Sequence, residues 1–248
     1  MSVAEFRFYE ELNDFLDPAR RRVPFSYTCA RQATVKNAIE ALGVPHTEVE
    51  LILANGESVD FAYRVRDGDR ISVYPQFEVI DVTPLLRVRE RPLRLTRFIA
   101  DSHLGALAKY LRLLGFDTLY RNDLHDREIA AIATRERRIV LSRDKGLLMQ
   151  RSITHGCYVR AIRPLAQIEE VLQRLDLFRR VRPFSRCLIC NAELETLSKA
   201  EASTRVPADT ARYYDDFRYC RCCDRVYWPG PHFRRLKAVL DKALRNRP

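Results

Sequence analysis

Three aspartates in the middle of this 248-residue chain each stand just past a short apolar run. Phe98-Ile99-Ala100 ends on Asp101, and Ile139-Val140-Leu141 runs through Ser142 into Arg143-Asp144. Thr118-Leu119-Tyr120 leads to Asp123-Leu124-His125-Asp126. Strands that run parallel share one rim at their carboxyl ends, and that rim is where ligands bind. Carboxylates gathered there repel one another unless a cation lies between them, and magnesium and manganese suit hard oxygen donors. The chemistry this points to is metal-dependent phosphodiester hydrolysis. Each acid also has a plain structural use. Asp126 reads equally as a helix N-cap, worth roughly 1 kcal/mol, and Asp123 as a cap of the same turn. Asp101 and Asp144 are harder to explain that way, because an Asp ending a buried strand loses solvation and gains little from packing.

A second constellation lies nearer the carboxyl end. Cys187-Leu-Ile-Cys190 is followed by Cys220-Arg-Cys222-Cys223. Two such knuckles read as a four-thiolate zinc site. The ligands expected are Cys187, Cys190, Cys220 and Cys223, with Cys222 as the competing fourth. Four thiolates close the coordination sphere, so the zinc would be structural. Tyr227, Trp228 and Phe233 follow, either as a platform for stacked bases or as the apolar cover of a small zinc module.

Seven cysteines, four of them in metal-type spacings, suit a reducing compartment. The amino terminus lacks the basic-then-apolar order of a signal peptide. No apolar run approaches the length of a membrane span, so the expectation is a cytoplasmic protein without a membrane partner. Charge is unevenly spread. Residues 1–93 carry 12 Lys+Arg against 15 Asp+Glu, a net of −3. Residues 94–181 carry 17 against 10, a net of +7, and residues 182–248 carry 14 against 8, a net of +6. A polyanion is the usual partner of such a bias, and nucleic acid is the commonest polyanion; solvated arginines on an ordinary surface are the plain alternative.

The elements that must position these groups follow from periodicity. Residues 4–10 alternate as a strand, and Val23 to Cys29 is a second. Thr34 is an N-cap for a helix through Leu42, which Gly43 ends. Val49 to Ala54 is a strand, Asn55-Gly56 a turn, Val59 to Tyr63 a continuation, and Arg70 to Tyr74 another strand. This order is that of a β-grasp module. Pro84 to Pro92 is a basic linker. After Asp101, Leu104, Leu107, Leu111 and Leu114 form a buried helical stripe ended by Gly115. Lys109 and Arg112 lie off that stripe and, with Arg143, are candidates for substrate phosphates. Asp126 to Glu136 is a helix, Arg137 to Ser142 and His155 to Ile162 are strands, and Pro164 opens a further helix. Strands alternating with helices at these lengths imply a parallel sheet covered on both faces. A basic amphipathic helix is expected over 234–244.

The β-grasp segment resembles the ubiquitin-like sulfur carriers in its Leu42-Gly-Val-Pro45, Asn55-Gly56 and Asp67-Gly-Asp-Arg-Ile71 motifs. It lacks their terminal Gly-Gly, so docking or scaffolding, with an unidentified protein partner, is the role implied. The run Phe98-Ile-Ala-Asp101, Leu104-Gly-Ala-Leu-Ala108, Leu111-Arg-Leu-Leu-Gly-Phe-Asp117, Asp126 and Ile139-Val-Leu-Ser-Arg-Asp144 resembles the Mut-seven C-terminal family of PIN-like ribonuclease domains. So does the knuckle Cys223-Asp-Arg-Val-Tyr-Trp-Pro-Gly230. The resemblance implies a ubiquitin-like β-grasp (α+β) domain over 1–83 and a linker over 84–94. It implies a PIN-like three-layer α/β/α parallel sheet over 95–181 and a zinc-ribbon module over 182–248. It also implies a metal-dependent ribonuclease using Mg or Mn at Asp101, Asp126 and Asp144. A fourth acid, usual in such nucleases, has no counterpart after Ile162, where Arg163-Pro164 stands, so one metal is expected. A non-catalytic RNA-binding adaptor that uses the basic surface and the zinc ribbon is the alternative.

Overall fold

Alternation along β1 (Ser2–Phe8) turns Ala4, Phe6 and Phe8 inward and leaves the residues between them facing out. The computed structural model describes residues 1–75, 87–88, 96–231, 233, 234, 238 and 241. The expected linker over 84–94 and the basic helix over 234–244 fall mostly outside these residues. The chain divides into two units, one of residues 1–95 with 126–158, the other of residues 96–125 with 159–248.

In the first unit, β1 pairs antiparallel with β2 (Phe25–Cys29) and parallel with β5 (Arg70–Tyr74). β5 in turn pairs antiparallel with β3 (Leu51–Ala54), which carries β4 (Glu57–Ser58) on its other side. α1 (Val35–Ala41) begins with a capping box, Thr34 accepting from the Asn37 N–H while the Asn37 side chain reaches back. Its Val35, Ala38 and Ile39 join Phe6, Phe8, Ile52, Ile71 and Val73 in one buried core. The order β2-β1-β5-β3-β4 around a parallel central pair is a β-grasp sheet. The expected strand over 59–63 is a turn instead. The Asp60 carboxylate takes the Ala62 N–H and the Asp60 carbonyl takes the Tyr63 N–H, which curls the chain out of the ladder.

The same unit holds α3 (Asp126–Glu136), β8 (Ile139–Ser142), α4 (Lys145–Leu148) and β9 (Gly156–Tyr158). β8 and β9 run parallel, with Val140 opposite Gly156 and Ser142 opposite Tyr158. α4 is a single turn, too short to leave a periodicity in the sequence.

In the second unit, β6 (Arg97–Ala100), α2 (Gly105–Leu113) and β7 (Asp117–Leu119) form a strand–helix–strand crossover, the two strands parallel with Phe98 opposite Thr118. Leu107 and Leu111 of α2 are fully buried, and α2 packs on α5 (Pro164–Arg174), whose Ile168, Val171 and Leu172 are also fully buried. The expected strand to Ile162 stops at Tyr158. Beyond it the Glu170 carboxylate takes the N–H groups of Arg160 and Ala161, so those residues have no ladder to join. The carboxyl-terminal part is a three-stranded antiparallel sheet of β10 (Glu195–Leu197), β11 (Phe217–Cys220) and β12 (Arg225–Tyr227), in that order. Between its first two strands lie α6 (Lys199–Ser203) and α7 (Ala208–Tyr213). α6 begins with a capping box, Ser198 accepting from the Glu201 N–H while the Glu201 carboxylate takes the Ser198 N–H.

The class is mixed α/β with parallel strands, a β-grasp before them and a cysteine-bearing sheet after them. Arg182 N–H donates to the Leu114 carbonyl and Phe184 N–H to that of Leu113, which ties this segment to the end of α2. Among the described residues no helix is long and apolar enough to cross a membrane.

That junction depends on Gly115. Its φ is +92°, and a Cβ there would lie 2.1 Å from the Arg182 carbonyl oxygen and 2.5 Å from Ser185 Oγ. Gly115→Ala is therefore expected to destabilise the second unit by at least about 2 kcal/mol through strain and clash together. Chemical denaturation against wild type measures it.

Candidate functional site

Asp101 follows β6 directly and is 6% exposed. Its Oδ1 accepts from the Ser102 N–H at 2.6 Å and from the Ser102 hydroxyl at 3.1 Å, capping the 3-10 turn Ser102–Leu104 that leads into α2. Tyr120 Oη donates to the Ser102 carbonyl at 3.0 Å and anchors the same turn from the end of β7. The carboxylate is thus held at the end of a buried strand by its own local turn. Sequence reasoning had no signal for Tyr120, because the contact spans 18 residues.

Asp144 and Asp126 belong to the first unit. Asp144 lies two residues past β8 and caps α4, its Oδ1 accepting from the Gly146 N–H at 2.7 Å. Its own N–H donates to Ser142 Oγ at 2.9 Å, so Ser142, fully buried, sets the turn that presents the acid. Asp126 is exposed and is the first residue of α3, within the first turn beside Glu128. That position favours a negative charge through the helix dipole. Asp123 is exposed and held by Arg121 at 2.6 and 3.0 Å, which keeps its carboxyl below the usual range.

Of the three basic residues, Lys109 and Arg143 are exposed. Arg112 is not, and its expected role as a phosphate contact is corrected here. It is 4% exposed, donates through Nε to the Thr118 carbonyl at 2.9 Å and through Nη1 to the carbonyls of Leu188 and Ile189 at 3.0 and 2.8 Å. Burial pulls its guanidinium below the ordinary arginine value, an effect that the sulfurs of Cys187 and Cys190 oppose. Three carbonyls facing one fork of N–H donors leave it no reach toward a substrate.

Two of those carbonyls, of Leu188 and Ile189, belong to the first cysteine knuckle. The sulfurs of Cys187, Cys190, Cys220 and Cys223 lie within 4.8 Å of one another, with Cys190 and Cys220 3.6 Å apart. Four sulfurs about 2.3 Å from a tetrahedral zinc stand nearly 4 Å apart, whereas a disulfide needs about 2 Å. The spacing fits a metal and not a pair of disulfides. It takes Cys223 as the fourth sulfur and leaves Cys222 exposed. Burial opposes ionisation of Cys187, yet the backbone N–H of Cys190 and the Tyr227 hydroxyl, 3.1 Å from the sulfur, bring it down to about 6. Cys220 is pushed up by burial, and Cys223 by its hydrogen bond to Cys190. Cys187 ionises readily while Cys220 and Cys223 resist, which is the electrostatic pattern a divalent cation relieves.

The knuckle is latched to β7 as well. Asn191, at φ +65°, accepts the Thr118 N–H at 3.0 Å and donates to Asp117 Oδ1 at 2.7 Å. Tyr227 is engaged with Cys187, and the Phe233 ring lies 4.7 Å from that of Phe184. If Arg112 clamps the knuckle, Arg112→Leu leaves three carbonyls without their donor and is expected to cost roughly 2–3 kcal/mol. Arg112→Lys should recover little of that, since an ammonium cannot span both strand and knuckle. Denaturant titration of the two variants compares them directly.

Comparison with known proteins bears on both parts. No curated protein matches the chain. Its amino-terminal part is similar to two crystal structures, those of H. volcanii small archaeal modifier protein 1 and of SAMP1 from Haloferax volcanii. They are 18% and 19% identical to it, each over 31% of this chain and over 100% and 97% of their own, with TM-scores of 0.26 and 0.25. A model described as Mut7-C ubiquitin matches residues 1–81. The Mut7-C RNAse domain model matches residues 96–240, more than half of the length, and the chain belongs to that family.

Proposed function

We propose that this protein is a metal-dependent ribonuclease that hydrolyses RNA phosphodiester bonds at a site built on Asp101, Asp144 and Asp126. Membership of an RNAse domain family supports a ribonuclease-type activity. The observation that carries the reading further is Asp101, a carboxylate nine-tenths buried at the end of a buried parallel strand. Such placement costs solvation, and a cation compensates it. The donors fit magnesium or manganese, because all are carboxylate oxygens. Asp101 and Asp144 would hold the ion, with Asp126 direct or through water.

When bound, such an ion polarises the scissile phosphate and makes a water nucleophilic at neutral pH. The chain's own residues supply the rest. The Ser102 and Gly146 N–H groups hold Oδ1 of Asp101 and of Asp144 and so fix how each carboxylate is turned. Lys109 and Arg143, both exposed, are placed to neutralise substrate phosphates. The four cysteines hold a structural zinc, which keeps the knuckle on β7. RNA is the partner, and cysteines gathered as for a metal favour a reducing compartment, the cytoplasm.

Asp101→Asn is expected to lower manganese-dependent cleavage of RNA by at least a hundredfold, with the fold intact and RNA binding kept or tightened. Asp144→Asn should match it, and the double variant should be no worse than either. Asp126→Asn separates ligand from helix-start residue, since at the exposed first residue of α3 loss of the charge costs only about 0.3–1 kcal/mol of dipole stabilisation, whereas loss of a ligand removes activity. Wild-type protein that binds RNA at submicromolar concentration but cleaves none of a broad panel in manganese would replace this reading with an RNA-binding adaptor.

The zinc has its own test. Elemental analysis is expected to give one zinc per chain. Cys187→Ser should lose it and raise amide exchange at Thr118 and along α2, beyond the module itself, because Arg112 and Asn191 join the two. A zinc-free wild-type protein with native exchange at Thr118 would remove the claim.

A further inference from the structure

The β-grasp domain presents to the rest of its unit a 3-10 turn, His46–Glu48, that is made of polar residues yet is buried. His46 is 4% exposed, Thr47 2% and Glu48 4%. A module held out for a foreign partner would leave such a turn in water, where these side chains are cheapest to keep. Here each meets the segment around Asp144. Glu48 Oε1 accepts the Tyr158 N–H at 2.6 Å. His46 Nε2 lies 2.8 Å from the Ile153 carbonyl, its ring turned by the Glu40 carboxylate 2.7 Å from Nδ1. The Thr47 hydroxyl faces the carbonyl of Leu148, the last residue of α4. Thr47 also packs on Gly156 so closely that a Cβ there would stand 3.1 Å from it.

The Glu48 contact leads toward Asp144. Tyr158 stands opposite Ser142 in the β8–β9 register, and Ser142 Oγ accepts the Asp144 N–H. Asp144 begins α4, which the β-grasp domain grips at both ends. Lys145 Nζ sits 5.1 Å over the Phe15 ring at the start, and Thr47 meets Leu148 at the finish. The Phe15 ring also meets that of Tyr158 edge-on, at 5.2 Å. α4 has only four residues and cannot hold its own shape. Its geometry, and with it the direction of the Asp144 carboxylate, must be imposed from outside.

We infer that the β-grasp domain is a built-in positioning element for Asp144, with Glu48 as the positioning residue that acts through Tyr158 and Ser142. The inference rests on the reading of Asp144 as part of the hydrolytic site, and it adds an intramolecular role for the domain. Because Asp144 would serve the reacting phosphate and not RNA capture, loss of Glu48 should act on turnover.

The test uses the full-length chain. Glu48→Ala is expected to lower kcat for manganese-dependent RNA cleavage at least tenfold with KM within twofold, and to raise the manganese concentration for half-maximal rate. Glu48→Gln keeps an acceptor for the Tyr158 N–H and should stay within about threefold of wild type. Amide exchange at Gly146, whose N–H is held by Asp144, should quicken in Glu48→Ala and not in Glu48→Gln. If Glu48→Ala does not fold, Phe15→Leu takes its place, with the same kcat and exchange changes expected from the loss of the ring under Lys145. A raised KM at constant kcat, unchanged exchange at Gly146, or equal damage from Ala and Gln would each overturn the inference. Should wild type prove inactive on RNA, the hydrolytic reading fails by itself, and the Gly146 exchange still decides whether the β-grasp domain holds Asp144.

Discussion

A short strand at the margin of a sheet has amides and carbonyls that its own ladder cannot satisfy, and leaving them buried and unpaired is costly. In this protein those groups are met by side chains from the flanking modules. Thr118 of β7 is fully buried; its N–H turns to Asn191 of the cysteine knuckle and its carbonyl to Arg112 of α2, which also grips the knuckle. In the other unit, the N–H of Tyr158 on β9 is taken by Glu48 of the β-grasp domain. Strands of three residues would be marginal alone. Carboxylate, carboxamide and guanidinium groups complete them.

This dependence explains why the accessory modules are attached as they are. The knuckle brings a cluster of sulfurs whose ionisation is self-opposing, and it meets α2 through a buried arginine whose charge suits thiolates. The same arginine holds the carbonyls that turn Leu188 and Ile189 around the centre. Second-shell groups of this kind orient ligands as firmly as the ligands orient the metal. On the β-grasp side, burial of a glutamate and a histidine is repaid only because each has an acceptor or donor waiting on the partner segment. Both modules therefore act as structural parts of the α/β unit they accompany.

The two acids proposed for catalysis differ in how firmly the fold holds them. Asp101 follows a strand buried on both sides and enters a helix with a full apolar stripe, so its backbone is set by ordinary core packing. Asp144 opens a single turn of helix, four residues long, that only Leu147 and Leu148 anchor in the core. A catalytic carboxylate on so short an element needs external support, because small errors in ligand direction weaken a metal site sharply.

Much of this was determined by the sequence alone. Alternation and 3.6-residue stripes place β1, α1, β6, α2, α3, β8 and α5 close to where they lie, because local periodicity reports which face is buried. The Cys-x-x-Cys spacing identifies the four sulfurs that come together, because so short a knuckle brings its own two inward. Asp101 and Asp144 stand at strand ends as read, since an apolar run that stops on a carboxylate can only stop at the rim. Tertiary structure decided the rest. Arg112 reads as a surface cation and is a buried clamp, since its partners Leu188 and Ile189 are 76 and 77 residues away. Glu48 reads as an ordinary loop acid and closes the edge of β9 from 110 residues away. The strands expected over 59–63 and up to Ile162 dissolve because Asp60 and Glu170 offer their amides a better acceptor than any ladder. Periodicity reveals that a residue is buried, but the partner that makes burial of a polar group tolerable is chosen only when the chain has folded.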